Sequence, residues 1–319
     1  MYNVRKIEEN INMRGDFQGT FLYDQELAQR TTFKVGGKAR LLVEPHNRDS
    51  FLQAIQTLKN LGISYLVLGG GSNVVAPDEG IDSPILSTIR LDSLFVAPDR
   101  TLLHCGAGCT WRQVVDFCIH HQLGGLENFA GLPGTLGGAV FMNARCYDVS
   151  VSDVVRLVEY GKVAVDREGQ WKAGLETYCM NQNDWDYKAS PFQKQLAGCP
   201  VLSIVLAVRP LDKEETAAMK LRAESFVADR EKKGHFSYPS AGSVFKNNRE
   251  FGKPSGKIID EAGLRGLELG GAQVAPWHGN FIINKGRARA TEIRQLVKNV
   301  QDTVYEKTGF FLEPEIIFW

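Results

Sequence analysis

Two glycine-dense loops constrain this chain more than any other feature. The first, Gly69-Gly70-Gly71-Ser72-Asn73, follows directly on a short apolar run over residues 63–68. The second is Gly131-Leu132-Pro133-Gly134-Thr135-Leu136-Gly137-Gly138. Glycine admits positive φ and lets backbone N–H groups approach a ligand closely. Successive N–H groups turned the same way form a nest for anions. The pair therefore suggests a diphosphate gripped from two sides, with Ser72, Asn73 and Thr135 adding side-chain donors. Familiar alternatives are excluded. Position 74 is valine, so neither loop reads Gly-x-Gly-x-x-Gly. There is no phosphate loop ending in Gly-Lys-Ser/Thr, and no Gly-x-Ser-x-Gly surrounds Ser243, which argues against an α/β-hydrolase serine.

Around these loops helical and strand patterns alternate, which argues α/β or α+β. Phe51, Leu52, Ile55, Leu58 and Leu61 recur at helical spacing after Asp49 or Ser50 as cap, and Gly62 ends that helix. Residues 63–68 read as a buried strand. Thr110 and Gln113 form a capping-box pattern that opens a second helix, closed by Gly124. Strands are expected over 154–160 and 201–208, with a hairpin turn at 166–169. Asp212 caps a charged helix running to about Lys233, and residues 272–284 read as strands. A last amphipathic helix carries Ile293, Leu296, Val297, Val300 and Val304 and ends before Gly309. Residues 310–319 are apolar enough for a buried strand.

Composition narrows the function classes. The 319 residues carry 37 basic and 37 acidic side chains, so a dominant nucleic-acid surface is disfavoured. No run is long and apolar enough to span a bilayer. Residues 1–15 lack the apolar middle of a signal peptide, so a cytoplasmic location is expected. Cys105, Cys109, Cys118, Cys146, Cys179 and Cys199 contain no Cys-x-x-Cys pair and read as free thiols. His120-His121, adjacent on a helix, is a poor chelate, and no metal site is expected.

Seven pieces in one order then become specific. They are Arg30-Thr31-Thr32-Phe33-Lys34-Val35-Gly36-Gly37; the first glycine loop; the second with Ala139 and Met142-Asn143-Ala144; Tyr187-Lys188-x-Ser190-x-Phe192; Arg230-x-x-Lys233; residues 240–247, Ser-Ala-Gly-Ser-Val-Phe-Lys-Asn; and Leu312-Glu313-Pro314-Glu315. With them the chain resembles the UDP-N-acetylenolpyruvoylglucosamine reductases, the MurB family. The resemblance implies an α+β protein with a two-subdomain FAD-binding fold of the vanillyl-alcohol-oxidase type and a C-terminal α+β substrate domain. The expected division is 1–90 and 91–212 for the two FAD-binding subdomains, 213–309 for the UDP-sugar domain, and 310–319 as a terminal strand carrying Glu315. The short stretch 171–191 leaves no room for the extra tyrosine-bearing loop of the family's longer subtype.

The resemblance also implies the chemistry. FAD is the bound cofactor and NADPH the reductant; hydride reaches the terminal carbon of an enolpyruvyl group and a proton its neighbour. Gly69, Gly70, Gly71, Ser72, Asn73, Gly131, Pro133, Gly134, Thr135, Gly137, Gly138 and Asn143 match cofactor positions. Ser243 matches the proton donor, which needs a charged neighbourhood to act as an acid. Glu315 matches an acidic group beside the substrate carboxyl, whose pKa should rise there. Lys188 stands where the family usually has arginine; it keeps the charge and loses the bidentate fork. Arg145 stands where glycine is common, and either contacts a flavin phosphate or partly replaces that guanidinium. Tyr187, Arg230, Lys233 and Asn247 match substrate and nicotinamide positions, with Asn280 and His278 as further UDP-side candidates. A monomer taking the UDP-sugar and NADPH as its small-molecule partners is expected. Two other readings remain: a different FAD oxidoreductase of the same fold, disfavoured because no histidine or cysteine lies beside residues 69–73 for covalent flavin, and a weakened nucleotide binder, supported only by Lys188.

Overall fold

The computed structural model describes residues 3–13 and 15–319, so Met1, Tyr2 and Arg14 of the polar N-terminal stretch lie outside the described residues. The chain forms two compact units that are interleaved in sequence. The first comprises Met1–Gln25, Arg40–Gly70 and Asp82–Ala228; the second comprises Glu26–Ala39, Gly71–Ile81 and Asp229–Trp319.

In the first unit one sheet has the order Gly19–Glu26, Lys38–Pro45, Ile85–Ser87, Leu66–Leu68, and its last three strands are parallel. The helix Arg48–Asn60 turns Phe51, Ala54, Ile55 and Leu58 inward against Leu41, Val43 and Leu86. Each such large side chain contributes roughly 1.5–3 kcal/mol on burial. The cap of this helix is Asn47, whose side chain accepts from Ser50 N at 2.8 Å, and not Asp49 or Ser50. An extended Asn47 leaves its carbonyl oxygen free for the first-turn amide, whereas Asp49 and Ser50 are already helical. Gly62 stops the helix at φ +65.

The other sheet of this unit is antiparallel: Trp171–Cys179, Val155–Val165, Val201–Ala207, Leu102–Gly106, Leu94–Val96. Val201–Ala207 is central and mostly buried, so its apolar run does not alternate. The expected turn at 166–169 joins the two longest strands, with Asp166 N donating to Gln170 O. Trp111 and Phe129 stack at 4.0 Å in the core below. Thr110 and Gln113 make the expected capping box for Trp111–His120. Gly124 does not close that helix. The chain leaves it at Gln122, φ +53, and Leu123–Gly124 pairs with Arg209–Pro210.

In the second unit a small antiparallel sheet, Glu268–Leu269, Ala272–Val274 and Ile282–Asn284, packs against Ala290–Thr308 through Ile293, Leu296, Val297, Val300 and Val304. Asp78 caps that helix from far away in sequence. Its carboxylate accepts Ala290 N at 2.8 Å, Thr291 N at 3.0 Å and the Thr291 hydroxyl at 2.8 Å. The terminal strand is narrower than the apolar run suggested. Ile317–Phe318 forms the one regular strand of this stretch among the described residues, in parallel with Val74–Val75; Pro314 makes an isolated bridge to Phe245, and Glu315 lies between the two. Pro314, without an N–H, interrupts a longer ladder.

Candidate active site

In the first unit the strand Leu66–Leu68 delivers Gly69 and Gly70 against the second glycine loop. Gly70 N donates to the Thr135 hydroxyl at 3.3 Å. A Cβ at Gly69 would lie 2.5 Å from Thr135 Oγ1, and one at Gly70 would lie 2.8 Å from Gly134 Cα. The two backbones therefore approach as only glycine permits. Gly131 and Gly134 use positive φ, +73 and +93. Not every glycine faces outward. Leu136 N and Gly137 N donate to the carbonyls of Cys109 and Ala107, at 2.8 and 2.9 Å. Those two amides seat the helix Leu136–Phe141 on the sheet. A Cβ at Gly138 meets only Thr135 Oγ1, at 3.8 Å, so that position is open. The donor chemistry fits a flavin dinucleotide: neither glycine loop carries an acidic side chain, and a diphosphate would meet amides and hydroxyls without repulsion.

The same unit positions Lys188. Asp186 and Ala189 exchange both backbone hydrogen bonds, 3.1 Å each, and leave Tyr187 and Lys188 as a two-residue turn. Lys188 adopts φ +56, a conformation that costs a non-glycine residue about 1–2 kcal/mol. Its ammonium sits 6.0 Å from the centre of the Tyr187 ring. The turn is fastened to the helix after the second glycine loop. Ser190, fully buried, donates to Phe141 O at 2.7 Å, and Gln193 Nε2 donates to the same oxygen at 2.5 Å. Asn143, at φ +41, donates to Asp186 O at 2.8 Å and accepts Ser152 N at 3.0 Å. Its amide thus ties the Lys188 turn to the glycine-loop helix.

The second unit holds Ser243 and Glu315 on neighbouring segments. Glu315 N donates to Val244 O at 2.7 Å, Lys246 N donates to Glu313 O at 2.9 Å, and Phe245 bridges Pro314. On its other side Ser243 bridges Phe281. Gly242, at φ +75, turns the chain into this segment with open space around it. Asn73 belongs to the same construction: Nδ2 donates to Glu315 O at 3.0 Å and its carbonyl accepts Ile317 N at 2.9 Å. Asn247 accepts Ser255 N at 2.8 Å, at the start of the helix Ser255–Glu261.

Arg230 lies in the last turn of the helix Lys213–Lys232, and Lys233 follows its end. Arg230 is buried, and Lys233 pairs with Asp229 at 2.6 Å. His235 follows, with its ring 4.9 Å from Phe281, and His278 lies 4.7 Å from the same ring. Burial, then the positive charges of Arg230, His278 and Lys233, push His235 down to about 4; Asp229 opposes them weakly. Burial likewise lowers His278. Both rings are therefore neutral near pH 7 beside the residue that bridges Ser243.

Comparison with known proteins decides the family. Residues 39–171 match the FAD binding domain model, and residues 234–319 match that of the UDP-N-acetylenolpyruvoylglucosamine reductase C-terminal domain. A UDP-N-acetylenolpyruvoylglucosamine reductase of Treponema denticola is 44% identical over 94% of both chains, and that of Treponema pallidum 41% identical over 92% of this chain and 91% of its own. The chain belongs to the UDP-N-acetylenolpyruvoylglucosamine reductase family. The crystal structure of the family member from Thermus caldophilus superposes with a TM-score of 0.72 at 30% identity, covering 95% of this chain and 99% of that one.

For a member of the reductase family, the structure groups the sequence-derived residues in two sets. Gly69, Gly70, Gly131, Pro133, Gly134, Thr135, Gly137, Gly138, Asn143, Tyr187 and Lys188 lie in the first unit; Gly71, Ser72, Asn73, Arg230, Lys233, Ser243, Asn247 and Glu315 lie in the second. Arg145 is held by Asp148 at 3.1 Å across a two-residue turn, with Tyr147 and Asp148 both at positive φ. Among the described residues no cluster of metal-ligating side chains occurs. Sequence reasoning missed His235. Its one signal was a histidine within two residues of the Arg230-x-x-Lys233 pair. Asn280, a candidate for the UDP side, has its side-chain amide committed to the backbone of Phe245 instead.

Proposed function

We propose that this reductase carries out its family's reaction through Ser243, Glu315 and Lys188, converting UDP-N-acetylenolpyruvoylglucosamine to UDP-N-acetylmuramate for peptidoglycan synthesis. When bound, FAD supplies the hydride chemistry, with NADPH as reductant. Everything else falls to the chain. The glycine loops recognise phosphate through close backbone approach, and Asn143 holds the turn that presents Lys188. Hydride addition to the enolpyruvyl group leaves negative charge shared between the adjacent carbon and its carboxylate. The Lys188 ammonium stabilises that charge as a point cation. The Ser243 hydroxyl donates its proton to the carbon, and Glu315 hydrogen-bonds the substrate carboxyl. Arg230, Lys233, Asn247 and Tyr187 bind the nucleotide-sugar and the nicotinamide.

The observation that carries this assignment is the direct backbone bond between the Ser243 and Glu315 segments, 2.7 Å from Glu315 N to Val244 O. We further read the protein as a cytoplasmic monomer. Among the described residues no helix is long and apolar enough to cross a membrane. We also propose that residues 1–90 and 91–212 act as the two FAD-binding subdomains and 213–309 as the UDP-sugar domain, with 310–319 carrying Glu315. The test is anaerobic absorbance. NADPH should bleach bound flavin and the UDP-enolpyruvyl sugar should restore it with product formed. Bleaching without restoration would overturn the substrate; absence of any FAD uptake would overturn the whole reading.

A further inference from the structure

The segment that carries Ser243 bridges Phe281 at Ser243 itself, and at Phe245 it has, among the described residues, a paired backbone segment on one side only. Its pleat sends Val244 O and Lys246 N towards residues 313–315, where they bond Glu315 N and Glu313 O. The peptide groups of Phe245 therefore face the other way. There a side chain stands in for a strand. Asn280, buried at 4% exposure, accepts Phe245 N on Oδ1 at 2.8 Å and donates from Nδ2 to Phe245 O at 2.8 Å. Its backbone carbonyl accepts Val244 N at 2.9 Å. Its own N–H donates to His278 Nδ1 at 3.1 Å, which fixes the ring as the tautomer protonated on Nε2. Ser255 Oγ closes the set on Lys246 O at 2.6 Å. One asparagine thus makes three of the bonds that fix the two residues after Ser243.

We infer that Asn280 is a positioning residue for Ser243: its amide takes up the outward-facing N–H and C=O of Phe245 and holds the hydroxyl at the angle protonation requires. This rests on the assignment of Ser243 as proton donor. Misplacing a catalytic group by about 1 Å costs on the order of 100-fold. Backbone bonds lost at Phe245 should therefore appear in the proton-dependent half of the reaction and not in the other half.

The experiment uses the full FAD-loaded protein as Asn280→Ala, Asn280→Asp and Ser243→Ala. Asn280→Asp keeps the acceptor for Phe245 N and turns the donor to Phe245 O into a second acceptor, so it provides an independent variant where Asn280→Ala is poorly soluble. Stopped-flow absorbance separates flavin reduction by NADPH from reoxidation by the UDP-enolpyruvyl sugar. Amide hydrogen exchange of the peptide spanning residues 243–246 reads the segment directly. Expected is reoxidation slowed about 10- to 100-fold in both Asn280 variants. Reduction and FAD content should stay within twofold of wild type (about experimental scatter), with faster exchange confined to that peptide. Reoxidation unchanged in the Asn280 variants while Ser243→Ala is slow would overturn the proposal alone. Equal slowing of both half-reactions, or loss of FAD, would show a global role and also overturn it. Unchanged reoxidation in Ser243→Ala would remove the proton-donor assignment itself.

Discussion

Lys188 offers a test in which stability and catalysis move apart. It occupies the second position of a two-residue turn at φ +56. A β-carbon there costs about 1–2 kcal/mol. Replacing lysine by glycine removes that strain. It also gives the unfolded chain more freedom, which takes back about 0.4–1 kcal/mol, and it loses the cation over the Tyr187 ring, about 0.5 kcal/mol. Lys188→Gly should therefore be nearly neutral in stability. Lys188→Ala keeps the strained φ and loses the same cation. The glycine variant should exceed the alanine variant by about 1 kcal/mol, or roughly 2–4 °C in Tm, reversing the usual order. Both remove the cation proposed to stabilise the developing carboxylate charge. Both should therefore slow reoxidation of the flavin by substrate about 100- to 1,000-fold while reduction by NADPH continues. Lys188→Arg restores a bidentate fork at the same φ and should react at least as fast as wild type. Calorimetry and single-turnover absorbance suffice. An alanine variant as stable as the glycine variant would refute the strain argument. Either variant turning over within twofold of wild type, at saturating substrate (a change of about 0.4 kcal/mol), would refute the catalytic role.

Three further outcomes follow from the same geometry. Gly70→Ala, whose Cβ would lie 2.8 Å from Gly134 Cα, should push the loops apart at about 1–3 kcal/mol and lower FAD retention after gel filtration. Asp78→Ala removes the cap of Ala290–Thr308 and should cost about 1–2 kcal/mol by chemical denaturation. Burial alone would raise the Asp78 carboxyl, but the Thr291 and Ala290 amides, the Thr291 hydroxyl and Arg289 outweigh it and leave its pKa lowered. Its contribution is therefore present above the ordinary carboxylate range and lost as pH falls through the lowered value, a dependence absent from Asp78→Ala. For His235, burial, reinforced by Arg230, brings the folded pKa from 6.5 to about 4. The unfolded chain then binds the proton first, so stability is complete above pH 6.5 and falls as acid is added towards pH 4. Discounted for partial exposure, the loss is about 1–2 kcal/mol, and His235→Phe should flatten that stretch of the profile.

What was legible in the sequence had a steric or local cause. Two backbones that must come within van der Waals contact need glycine, so the loops at 69–71 and 131–138 announced themselves, and Thr110 with Gln113 capped a helix within four residues of chain. What was not legible depended on partners far apart. Asp78 is an unremarkable aspartate until the fold brings Ala290 and Thr291 to it, and Asn47 displaced two equally good capping candidates because only it is extended. Asn280 makes the point most sharply. Pro314, lacking an N–H, sits opposite Phe245, and the pleat turns the Phe245 peptide away from it. The sequence does not announce that the outer edge of the chain beyond Ser243 lacks a regular ladder. It does not say which side chain supplies the missing donor and acceptor, because an asparagine carries both wherever it stands. Register alone selects Asn280, and register is fixed by the pairing of Ser243 with Phe281 next to it. The residue assigned the proton and the residue that aims it are thus specified together, by a single bridge between distant segments.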